Sequence, residues 1–122
     1  MRKHYEYAIL SCMLLCKEKR EEIFSRLEEN IFTEERAILF KAICKFYNED
    51  INTVDIINFL CQEGMERDRA IMLVSDTLHM AIYINIRNIT YYIEELNKII
   101  EREKRKKELL EEYKKIKEEL NI

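Results

Sequence analysis

Four cysteines (Cys12, Cys16, Cys44 and Cys61) and two histidines (His4 and His79) supply every thiol and imidazole in the 122-residue chain. Cys12 and Cys16 stand one helical turn apart and so share a face, but there is no C-x-x-C pair of the kind that closes a zinc site. The expected state is four free thiols packed as small hydrophobes, which suits a reducing compartment and a cytoplasmic protein. No metal and no cofactor are expected.

Other chemistries fare no better. A single glycine, Gly64, and the absence of proline rule out a phosphate-cradling loop or a dinucleotide turn. Ser11 and Ser25 sit inside helical patterns with no nucleophile elbow around them. The carboxylates lie in runs beside Lys and Arg, where solvated ion pairing is their ordinary role. His79, among apolar neighbours, reads as a core or boundary residue. The chain therefore has no nucleotide-binding or catalytic motif and is not expected to be an enzyme.

A formal charge of −3 gives no overall electrostatic footprint for nucleic acid. The one basic cluster, Arg102, Lys104, Arg105, Lys106 and Lys107, could meet phosphates or an acidic partner, but Glu101, Glu103 and Glu108 interleave with it. It reads as a solvated hairpin tip. No sequence-specific nucleic-acid contact is expected, and a small helical DNA-binding regulator is only a third alternative. The apolar stretch Ala8 to Cys16 is too short to span a bilayer, so no membrane contact is expected either.

What remains is a surface for association, in the last third of the chain. Ile89, Ile93, Leu96 and Ile100 form one apolar stripe at helical spacing, and Leu109, Tyr113, Ile116 and Leu120 form another. Between them, every residue from Glu101 to Glu108 is charged. At about 100° per residue, the step from Ile100 to Leu109 turns the second stripe roughly to the opposite face. Either the charged run is a turn between two helices of a hairpin, or one long helix reaches two different neighbours. Tyr92, Leu96, Ile100, Leu109, Tyr113, Ile116 and Leu120 are the candidate partner and self-association residues. Tyr offers large contact area at small entropic cost.

The elements that must position this region are helices. Glu, Lys, Ile and Leu dominate, and the usual punctuation of sheets is missing, so the fold class is all-α. An orthogonal helical bundle over residues 1–82 is expected, followed over 83–122 by a helical hairpin or extended helix. Tyr5 to Cys16 is apolar on nearly all sides, as a central helix would be. Lys17 to Glu29, with Ile23, Phe24 and Leu27 on one stripe, should cover it. Thr33 is placed to cap a third helix running to about Asn48. Asn52 or Thr53 can cap a fourth, bearing Val54, Ile57, Leu60 and Cys61, which Gly64 ends. A fifth carries Ile71, Leu73, Val74 and Leu78. Ile82, Ile84 and Ile86 alternate like a strand but have no strand to pair with, so they read as a connector or a helix start near Asn85 or Asn88.

The order of features resembles the N-terminal domain of the DnaB-type replicative helicase. Glu6-Tyr7-Ala8-Ile9-Leu10-Ser11 is similar to that family's E-x-A-V-L-G, with Ser11 in place of Gly. Ile31-Phe32 and then Leu39-Phe40-Lys41-Ala42-Ile43 match its aromatic pair and I-F-x-A-I, with Arg36 where the family often has His. Val54-Asp55-Ile56-Ile57 resembles its V-D signature, and Asn88-Ile89-Thr90-Tyr91-Tyr92 its N-x-x-Y-Y region. The family's G-G-x-x-Y-L segment is replaced by Met65 to Ser75, which points to a divergent member. The C-terminal helicase-binding domain of bacterial primase is similar in architecture, and Leu109 to Lys117 looks like its closing helix. The resemblance implies a non-catalytic, homo-oligomeric adaptor of the replication fork, with replicative helicase or primase as partner. The chain would be a fragment or a stand-alone regulator, and its C-terminal region would be a hairpin.

Overall fold

The structure is a computed structural model that describes residues 1–27 and 31–121. Six α-helices and two short 3-10 turns make up its regular structure, and no strand occurs among the described residues. The helices are α1 (Arg2–Leu15), α2 (Lys17–Arg26), α3 (Glu35–Lys45), α4 (Thr53–Gln62), α5 (Arg67–His79) and α6 (Ile89–Glu119).

The whole bundle is assembled on α1. Ala8, Ile9, Leu10, Cys12 and Met13 are completely buried, which uses up more than one face of the helix. The remaining elements surround it: α2, α3, α5, the 3-10 turn Met80–Ile82 and α6 all pack directly on α1. α4 lies outside this ring, against α3 and α5. Because it has neighbours on one side only, Ile56 and Leu60 are buried while Val54 points to solvent. Its buried face is therefore turned one position from the expected one.

The chain punctuation follows from single residues. Asn52 caps α4, its side-chain oxygen accepting from the Val54 N–H at 2.8 Å. Gly64 ends the same helix at φ +98°, with Met65 N–H bonded to the Leu60 carbonyl and Gly64 N–H to the Cys61 carbonyl. That pattern needs a left-handed residue, which glycine supplies without a Cβ penalty. The alternating isoleucines resolve as a connector. Met80–Ile82 and Ile86–Asn88 are 3-10 turns, and the Asn85 side chain accepts from the Arg87 N–H.

Three expectations change at helix ends. α1 begins at Arg2 rather than Tyr5, and α3 spans Glu35–Lys45 with no side-chain cap, because the Thr33 hydroxyl is engaged elsewhere. α2 ends at Arg26; the rest of its expected span reaches residues 28–30, which lie outside the described residues, as does Ile122. His79 is exposed and contacts the Ser75 carbonyl, so it is not a core residue.

The largest correction concerns the C-terminal hairpin, which does not form. α6 runs unbroken through Glu101 to Glu108. Each residue of that run is a good or fair helix former. Glu101 with Arg105, Glu103 with Lys107, and Lys104 with Glu108 are spaced for attraction on the helix surface. None of its residues favours the left-handed conformation that would reverse the chain.

Candidate interaction surface

α6 has an anchored half and a bare half. Ile89, Tyr92, Ile93 and Leu96 are buried against the bundle, and Ile99 and Ile100 pack on its edge. The Tyr92 hydroxyl also accepts from the Asn85 N–H at 3.1 Å, tying the start of the helix to the connector before it. From Glu101 to Asn121 every residue is exposed. At 1.5 Å per residue, the helical part of this arm projects about 28 Å.

A buried polar cluster marks where the bundle stops. Glu6 on α1 is fully buried and accepts from the Thr33 N–H at 2.6 Å and from the Thr33 hydroxyl. Arg36 Nε on α3 stands 3.3 Å from the same carboxylate, and Arg2 Nε stands 3.4 Å from it. Arg2 also donates to the Ile31 carbonyl at 3.0 Å and pairs with Glu103 of α6. The acid thus joins α1 to the start of α3, and Arg2 extends the cluster to the first turn of the arm. Beyond Glu103, no ion pair or side-chain hydrogen bond among the described residues ties the arm to the bundle.

A second buried arginine does comparable work at the other end of α1. Arg20 donates to the carbonyls of Met13 at 2.5 Å, Leu14 at 3.3 Å, Tyr47 at 3.1 Å and Glu49 at 2.7 Å. It satisfies the open carbonyls at the C-terminus of α1 and pins the loop after α3 to them. Burial pulls its pKa below the usual arginine value, with Asp50 opposing the shift.

The structure divides the candidate association residues by environment. Tyr92 and Leu96 already have neighbours within their own chain, and Ile100 is partly covered. Their stripe packs on the bundle. Leu109, Tyr113, Ile116 and Leu120 are 48–63 % exposed and lie along one side of the arm. Arg102, Lys104, Arg105, Lys106 and Lys107 are exposed on the same arm, in a helix rather than at a hairpin tip.

Glu6, Arg36, Arg2 and Arg20 were not singled out by composition or spacing as a structural set. The available signal was an acid inside the otherwise apolar run of α1, since a buried carboxylate needs a cationic partner. Nothing in the sequence names that partner. Burial, with Cys16 nearby, pushes the Cys12 thiol up to about 11, and no group of three potential metal ligands occurs among the described residues. A cleft of about 380 Å³ lined by Glu21, Phe24, Cys44 and Tyr47 has one carboxylate and otherwise little polar character. No helix among the described residues is long and apolar enough to cross a membrane.

Residues 2–98 match the model of the DnaB-like helicase N terminal domain. The match covers the bundle and the anchored half of α6, and it stops three residues before the fully exposed arm begins. No curated protein and no solved structure matches the chain.

Proposed function

The chain belongs to the DnaB-like helicase N-terminal domain family, a helicase-associated replication domain, and on that premise we propose that it is a non-catalytic interaction module of the replication machinery. It works by helix-on-helix docking. The bundle holds α6 rigidly by its first stripe, and the arm presents Leu109, Tyr113, Ile116 and Leu120 to a second helix. Its partners are other copies of itself, replicative helicase or primase.

The observation that carries this reading is the bare half of α6. A helix surrounded by water gains little from packing, and short isolated helices are marginal. An apolar stripe at regular four-and-three spacing on such a helix is the signature of a surface completed by another helix. The buried charges of the bundle are occupied with holding helices together.

The test replaces Tyr113→Asp and Leu120→Asp together, two exposed positions whose change leaves the bundle core untouched. Light scattering reads the oligomeric state, and pull-down with purified replicative helicase and primase reads partner capture. Loss of self-association or of capture is expected. Unchanged values for both would remove the arm as the docking element.

A further inference from the structure

We infer that the connector between α5 and α6 is a docking site for a peptide segment of another protein, one that joins apolar side chains to a carboxylate. The site is separate from the arm and stands whether or not the arm is a docking element.

The connector carries apolar surface that the fold leaves uncovered. Ile82 is 74 % exposed and Tyr83 76 %, more than any other large hydrophobic side chain among the described residues except Met1. Next to them in the chain, Ala81, Ile84, Asn85, Ile86 and Arg87 line a cleft of about 650 Å³ together with Leu15, the half-exposed last residue of α1. Clustered apolar surface of this kind marks a contact site.

The segment is also fixed in shape. The N–H groups of Tyr83 and Ile84 donate to the Met80 carbonyl at 2.9 and 3.1 Å. The Asn85 N–H donates to the Tyr92 hydroxyl at 3.1 Å, and the Arg87 N–H to the Asn85 side chain at 3.0 Å. A surface held in this way loses little conformational freedom when it is covered.

Charge names the occupant. Thr77 to Ile93 is a run of 17 residues without Asp or Glu, the longest in a chain that has 24 of them. Arg87, at the cleft, is exposed, and no carboxylate among the described residues pairs with it. A cation beside an apolar surface that has no acid of its own is complementary to a carboxylate brought by a partner. Tyr and Arg are also the side chains that most often carry binding energy. Ile82 and Tyr83 stand outside the lining of the cleft. A small molecule filling the cleft would leave them in water, whereas a peptide chain can cover both. Anionic membranes are recognised by clusters of about four to eight Lys or Arg, and Arg87 stands alone in the run.

The test selects binders to the full chain from a phage-displayed library of random short peptides and measures them as synthetic peptides by fluorescence anisotropy. Selected peptides should combine aliphatic or aromatic residues with Asp or Glu. Ile82→Ser with Tyr83→Ser, and separately Arg87→Glu, should each weaken their binding about tenfold. Tyr113→Asp with Leu120→Asp should leave it unchanged. Selection on the Arg87→Glu chain should exchange the acids for Lys or Arg. Ile82, Tyr83 and Arg87 are all exposed, so these substitutions leave the core intact. Failure to select any peptide, peptides with no acidic preference, or binding indifferent to the connector substitutions would overturn the proposal. So would self-association in sedimentation, or flotation with phosphatidylserine vesicles, that the Ile82→Ser with Tyr83→Ser chain loses. The first would assign the surface to a second copy, and the second to a membrane.

Discussion

The two halves of α6 are built on the same principle and end in opposite environments. Ile89, Ile93, Leu96 and Ile100 repeat at four-and-three spacing, as do Leu109, Tyr113, Ile116 and Leu120. The first set is covered by α1 and its neighbours, while the second stands in water. Periodicity therefore says that a helix face wants a partner and not whose face completes it. What separates the halves is the step of nine residues between the stripes, which rotates the second stripe away from the bundle. The run Glu101 to Glu108 carries the helix across that rotation without breaking it. It thereby converts a core helix into an arm.

The sharpest way to break the comparison is at the cluster where the bundle ends. Glu6→Ala would leave the buried Arg36 only the exposed Glu34 carboxylate, 3.7 Å away, and remove the acid that ties α1 to Thr33. The expected loss is about 3–5 kcal/mol of stability, read by urea denaturation. A loss below about 1 kcal/mol would show that the cluster is solvated and does not bind the helices together.

A smaller effect compares the two stripes directly. Leu96→Ala opens a cavity in a fully buried site and should cost about 2–5 kcal/mol. Leu109→Ala, measured in dilute solution where the arm has no partner, should change stability by less than about 0.5 kcal/mol. Equal losses at the two positions would mean that the arm folds back on the bundle.

The helical class, the central place of α1 and the capping roles of Asn52 and Gly64 were legible because each rests on local chemistry: periodicity, side-chain capping and a left-handed turn. The continuous course of α6 was not, since a change of face fits a hairpin and an unbroken helix alike, and only the family resemblance favoured the hairpin. Helix propensity within Glu101 to Glu108 was the stronger physical signal. Tyr92 and Leu96 could not be separated from Tyr113 and Leu120 by sequence, because apolar spacing is identical whether the covering surface comes from the same chain or another. The roles of Glu6, Arg36 and Arg20 were hidden for a related reason. Their partners lie far along the chain, Thr33 and Arg36 for Glu6, and Tyr47 and Glu49 for Arg20. Only the folded arrangement brings such pairs together.

Amide hydrogen exchange across a protein dilution series tests the central claim, that the distal half of α6 is a docking element and not part of the bundle. Amides of Lys104 to Glu119 should lose protection on dilution, while those of α1 keep theirs at every concentration. In the Tyr113→Asp with Leu120→Asp chain, the arm should be unprotected throughout. Arm protection equal to that of α1, unaffected by dilution and by the double substitution, would contradict it.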